Sequence, residues 1–143
     1  LHKYKLMDVI HQCAKAGVPY IGWSAGSNIA CPTLCTTNDM PIVQPESFKA
    51  LNLIPFQINP HYLDPHPEID KMIKHGGETR QDRLNEFLAV NQDKKVIGLR
   101  EATSLWLIGN KMMLKGGKKM VVFEYNKDMV EIEPGNDVSY LLN

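Results

Sequence analysis

The stretch Val18-Pro19-Tyr20-Ile21-Gly22-Trp23-Ser24-Ala25-Gly26 constrains the fold of this chain more than any other. Val18 to Trp23 form a short apolar run of the kind buried on both faces of a parallel sheet. Small residues able to open a helix, Ala25 to Ala30, follow without a linker. Strand, turn and helix in immediate succession are the unit from which α/β sheets are built. Within that unit, Gly22-Trp23-Ser24-Ala25-Gly26 is G-x-S-x-G, in which the glycines let a strained turn lift a serine hydroxyl out of the sheet. The helix N-terminus behind Ser24 favours developing negative charge. Ser24 is therefore the candidate nucleophile, with the Ala25 backbone amide as an oxyanion donor; the bland alternative is a serine that merely caps its helix.

A length of 143 residues suits one core, so a single α/β domain over residues 1–143 is expected. Apolar residues make up 43% and charged residues 22%, with 16 basic side chains against 16 acidic ones. That balance argues against a disordered tail and against an electrostatic nucleic-acid binder. No apolar stretch approaches the roughly 20 residues of a bilayer span, and the first residues lack a signal-peptide layout. The expectation is a soluble, cytoplasmic protein with neither nucleic acid nor membrane as partner. Cys13, Cys31 and Cys35 are an odd set without histidines at zinc-ligand spacing, which predicts free, mostly buried thiols and no metal. The sequence starts at Leu1, inside a helical pattern with no cap before it, so the N-terminal part of the domain is expected to lie upstream.

Leu6, Met7, Ile10, Cys13 and Ala14 recur at helical spacing, and Gly17 supplies a left-handed cap. From Cys31 to Pro60 the composition predicts loops around brief strands at Met40 to Val43 and Phe56 to Ile58. Prolines between His61 and Gly77 disfavour regular structure before Glu78. Thr79 with Asp82 forms a T-x-x-D capping box, opening a helix with Leu84, Phe87 and Leu88 on its apolar face and an end near Asn91. Lys95 to Leu99 is the next buried strand. Leu105 to Ile108, Met112 to Leu114, Met120 to Tyr125 and Met129 to Ile132 then alternate with turn residues, which predicts antiparallel hairpins at the C-terminal end of a mixed α/β sheet.

A serine hydroxyl needs a general base within reach and a third group to orient that base. His2 and His11 fall on the first helix, and His66 and His75 in the loop. His61 alone directly follows a strand candidate, and residues just past strand carboxyl ends converge on one sheet edge. Two acids compete to orient it. Asp39 gives the chain order Ser, Asp, His, whereas Glu101 follows the strand Val96 to Leu99 and so shares the sheet edge with Ser24 and His61; position favours Glu101.

Gly22-Trp23-Ser24-Ala25-Gly26-Ser27-Asn28, Cys31-Pro32-Thr33, Thr36-Thr37-Asn38-Asp39-Met40-Pro41-Ile42-Val43, Gln57-Ile58-Asn59-Pro60-His61 and Gly77-Glu78-Thr79-Arg80 together resemble peptidase E, the α-aspartyl dipeptidase family of serine peptidases. The resemblance implies a three-layer, glutamine-amidotransferase-like sandwich with a mostly parallel sheet. It implies hydrolysis of dipeptides with an N-terminal aspartate and no cofactor. Ser24 matches the nucleophile, His61 the base, Glu101 the triad acid, and Asp39 an aspartate also discussed for that role. Arg80 matches the arginine that receives the substrate's aspartyl carboxylate. Family members also carry an N-terminal half whose Gly-Gly-Gly-Asn loop supplies an oxyanion amide, and no stretch of this chain matches that loop. A complementary N-terminal segment or a homo-oligomer is thus a candidate partner. Two other readings stay open: a non-catalytic fragment or binding module of the same fold, and a related hydrolase with another acidic substrate.

Overall fold

The computed structural model describes residues 1–40, 42–65 and 78–143. His66, Pro67, His75, Gly77 and Pro41 lie outside the described residues, and with them most of the irregular loop and part of the strand expected over Met40 to Val43. Among the described residues, three helices, α1 (Met7–Lys15), α2 (Ala25–Ala30) and α3 (Arg80–Val90), accompany six strands. These are β1 (Gln57–Pro60), β2 (Lys95–Leu99), β3 (Thr103–Ile108), β4 (Lys111–Gly116), β5 (Met120–Glu124) and β6 (Val130–Ile132). Short 3-10 turns sit at His2–Tyr4 and Ser139–Leu142.

The fold is α/β with a mixed sheet. Four strands run in the order β1-β2-β5-β6. β1 and β2 are parallel, with Gln57 opposite Val96 and Pro60 opposite Leu99, whereas β5 is antiparallel to both β2 and β6. β3 and β4 form a separate antiparallel pair. The central strands are apolar on both faces, and alternation sorts their side chains into two clusters. Ile97, Leu99, Met120 and Val122 pack with Phe56, Met112, Leu114 and Leu141 on one side of the sheet. Val96, Val121 and Phe123 pack with Tyr62, Leu84 and Leu88 on the other. α3 covers that second face. Its start is fixed as the sequence predicts: Thr79 Oγ1 accepts from the Asp82 amide at 3.1 Å while the Asp82 carboxylate accepts from the Thr79 amide at 2.9 Å. The Thr79 hydroxyl, which donates to the same carboxylate at 2.7 Å, and the Thr79 amide hold the Asp82 carboxyl below the usual range.

Gly98 is the close approach that lets β2 sit beneath Tyr62. A Cβ there would stand 2.8 Å from Tyr62 Cγ, and Tyr62 is buried against Phe123 with ring centroids 5.6 Å apart. Gly98→Ala is therefore expected to destabilise the fold by about 1–3 kcal/mol, the usual cost of overpacking a tight core. Denaturant titration would read it as a lower midpoint at unchanged slope.

Three expectations need correction. Val18 to Trp23, read as a buried strand, is irregular and pairs with no strand among the described residues; Ile21 is 86% and Trp23 79% exposed. An apolar run reports what a segment is able to bury, but a parallel strand forms only where neighbours supply its hydrogen bonds. Consequently the sheet, expected to be mostly parallel, holds one parallel pair among the described residues. The helix read from Leu6 to Ala14 does form, as α1, with none of its residues fully buried. It is tied on by polar bonds instead, with His11 Nδ1 donating to the Leu51 carbonyl at 2.6 Å. Finally, all three thiols are free, but only Cys31 is buried. Among the described residues, no helix is long and apolar enough to cross a membrane.

Candidate active site

Ser24 occupies the turn between the apolar run and α2 with φ 52° and ψ −121°. Positive φ at a residue with a Cβ costs on the order of 1–3 kcal/mol and persists only where the surroundings enforce it. Here they do. The Trp23 carbonyl accepts from the Gly26 amide at 2.8 Å, and the Gly26 carbonyl accepts from Tyr20 OH at 2.7 Å. Of the motif's two glycines, only Gly22 is sterically obligatory, because a Cβ there would lie 2.6 Å from the Gly26 carbonyl oxygen; at Gly26 the nearest atom is 3.9 Å away. The Ser24 hydroxyl makes no capping bond to α2, so the bland reading of this serine as a helix cap does not describe it. Ala25 is the first residue of α2, where amides lack intrahelical acceptors.

His61 follows directly on β1 and also has positive φ, 54°. Its Nδ1 donates to Oε1 of Glu101, which lies in the turn after β2. The parallel register explains the meeting: Pro60 is opposite Leu99, so the residues just beyond the two strand ends turn toward each other. Ser24, His61 and Glu101 all line one cleft of about 1020 Å³, walled by the end of α1, the serine turn and the β3–β4 pair.

Asp39 and Arg80 lie elsewhere. They line a second, smaller cleft of about 410 Å³ together with Cys35, Thr37, Asn59 and Phe87. Asp39 accepts from Thr37 Oγ1 at 3.2 Å in an exposed turn, and no bond joins it to His61. Arg80 is the first residue of α3, and its Nη1 is buried without a hydrogen-bond partner among the described residues. Such an orphaned cationic donor is costly and points to a missing acceptor. Asn59 lines the Arg80 cleft and Pro60 the Ser24 cleft, so the two clefts adjoin across β1.

What sets the spacing between the serine turn and the histidine strand escapes the sequence reading. The edge of β1 away from β2 has no neighbouring strand among the described residues; side chains take its place. Asn28 Nδ2 and Thr36 Oγ1 both donate to the Ile58 carbonyl at 2.8 Å. The Ile58 amide donates to Cys31 Sγ at 3.1 Å, and Asn38 Nδ2 donates to the Pro60 carbonyl at 2.5 Å. Pro60 lacks an N–H and suits this edge, where no backbone acceptor awaits one. Burial pushes the Cys31 thiol up to about 12, which makes it a structural group rather than a reactive one. No local signal marks these four residues, because each acts on a strand 22 or more residues away.

The profile of peptidase family S51 matches residues 1–115. The chain is 46% identical over 142 residues to the protein named Peptidase E in a Nostoc species, covering 99% of this chain and 57% of that protein. It is 46% identical over 143 residues to Peptidase E of Streptomyces coelicolor, covering 100% and 57%. With Peptidase E of Shewanella baltica it shares 44% over 142 residues, covering 99% and 58%. It thus spans somewhat more than half the length of these relatives. With a family profile matched over most of its residues and relatives this similar along nearly all of it, the chain belongs to peptidase family S51.

Proposed function

We propose that this chain carries the catalytic residues of a serine dipeptidase that hydrolyses Asp-Xaa dipeptides without a cofactor. The observation that carries the reading is the bond from His61 Nδ1 to Glu101 within the cleft that Ser24 lines. Ser24 Oγ attacks the scissile carbonyl while His61 Nε2 takes its proton. Glu101 fixes the tautomer that leaves Nε2 free to accept, and its negative charge stabilises the imidazolium that forms. His61 then returns the proton to the leaving amine, and water releases the acyl group from Ser24 by the same route in reverse. The Ala25 amide donates to the oxyanion. A second donor is assigned to a complementary N-terminal segment or a further copy of the chain, in keeping with the greater length of the relatives. The whole is proposed to complete a glutamine-amidotransferase-like, three-layer domain. A reducing compartment such as the cytoplasm suits its exposed Cys13 and Cys35.

Arg80 is proposed to receive the substrate's aspartyl carboxylate, supported by its buried Nη1, which has no partner among the described residues, and by its place at the start of α3, where free amides add to the attraction. Arg80→Ala is expected to lower the ratio of kcat/KM for Asp-Leu to kcat/KM for Asn-Leu by about 10- to 100-fold, the worth of a hydrogen bond to a charged group. An unchanged ratio would assign the carboxylate pocket to other residues. Turnover of Asp-Xaa dipeptides that is lost on labelling Ser24 tests the reading as a whole.

A further inference from the structure

We propose that Arg100 is a positioning residue for the His61–Glu101 pair, acting through a clamp on Asp64; the inference rests on the catalytic reading of those two residues. The pair alone does not hold itself in place. Its side chains are 44% and 64% exposed, and an exposed ion pair of this kind contributes about 0–1 kcal/mol. The backbone also has positive φ at His61 itself and at Ala102, the residue after Glu101. Something rigid must fix the two chain ends relative to each other.

Arg100 sits where that constraint is needed. It immediately precedes Glu101, and its guanidinium grips Asp64, three residues past His61, in a two-point fork: Nε to Oδ2 at 2.8 Å and Nη2 to Oδ1 at 2.6 Å. Nη2 also donates to Glu131 on β6 at 2.7 Å, and Nη1 to the Lys119 carbonyl ahead of β5 at 3.0 Å. The side chain is only 12% exposed and lies over the Tyr62 ring, 5.7 Å from its centroid. The Tyr62 amide in turn donates to the Leu99 carbonyl at 2.9 Å, and Thr103 Oγ1 donates to the carbonyl of Arg100 itself. One cation thus ties the loop after β1 and the end of β2 to β5 and β6. The charges agree with tight contacts. Arg100 holds the Asp64 and Glu131 carboxyls below their usual range, and those carboxylates raise the guanidinium's affinity for its proton. A planar fork locks direction as well as distance, which a lysine does not.

The experiment compares Arg100→Gln, Arg100→Lys and Asp64→Asn in the same chain with Val121→Ala, a core variant outside the clamp that lowers Tm by its own route. Crystal structures give the His61 Nδ1 to Glu101 Oε1 separation, and a fluorophosphonate probe gives the rate of Ser24 labelling. In Arg100→Gln and Asp64→Asn the separation is expected to exceed about 3.5 Å and labelling to fall about 10²-fold, as for misplacement of a catalytic group by about an ångström. Arg100→Lys should fall between these and the parent, while Val121→Ala should label at the parental rate. An intact His61–Glu101 bond in both clamp variants would overturn the proposal. So would labelling within about twofold of the parent, or an equal loss in Val121→Ala. Failure of the parent chain to label at Ser24 would instead overturn the catalytic reading, and the crystal structures would still decide the clamp.

Discussion

Ser24→Ala is expected to reduce turnover of an aspartyl dipeptide by about 10⁴- to 10⁶-fold, the range seen when a triad nucleophile is removed and only binding and the oxyanion donor remain. The size follows from the division of labour: every step that His61 and Glu101 assist follows from attack by the Ser24 hydroxyl, so removing that hydroxyl idles both. Ser24→Gly gives a sharper form of the test. Its loss of rate should equal that of Ser24→Ala, yet it should raise stability by up to about 1 kcal/mol, because glycine adopts the φ of 52° without the strain a Cβ brings. A stability gain paired with a dead site would mark the turn as strained for catalysis. Steady-state assays on Asp-Leu beside chemical denaturation of the three proteins measure both quantities. Near-parental turnover in Ser24→Ala would end the serine mechanism.

Glu101→Gln is expected to cost about 10⁴-fold in kcat, as when the orienting carboxylate of a triad becomes an amide and the histidine tautomer is no longer fixed. The amide retains the size of the carboxylate but loses the charge that stabilises the imidazolium. Asp39→Asn is expected to leave kcat within a few-fold of the parent, because Asp39 is bonded to Thr37 in the neighbouring cleft and not to His61. Measured side by side, a dead Asp39→Asn with an active Glu101→Gln would reverse the assignment.

Much of this architecture is legible in the sequence because its signals are local. The capping box at Thr79, the bounds of α2 at Ala25 to Ala30, and β2 at Lys95 to Leu99 all rest on residues within a few positions of one another. The meeting of His61 and Glu101 is legible one level up, since residues just past the ends of parallel neighbours share an edge. Local signals fail where the partner is remote. No local signal marks Arg100, which bonds Asp64 36 residues before it and Glu131 31 residues after it. The run Val18 to Trp23 shows the opposite failure: its composition states a capacity for burial, but burial is supplied by neighbours that a local pattern does not name. Arg80 is intermediate. Its helix-start position is legible from Thr79, whereas its orphaned Nη1 becomes visible only when the cleft is built.

The side-chain rungs along β1 have a consequence for how such a site diverges. Backbone ladders space strands at about 4.8 Å whatever their sequence, so no point mutation alters that distance. Here the separation of the serine turn from the histidine strand depends on the lengths and hydrogen-bonding atoms of Asn28, Cys31, Thr36 and Asn38. Each rung is encoded by a single codon and is open to change without rebuilding the sheet. The spacing between two reacting groups is thereby placed within reach of gradual selection, while the strand that carries the histidine keeps its place beside β2. Occupied by those rungs, the edge also has fewer free donors and acceptors to offer a strand from another molecule.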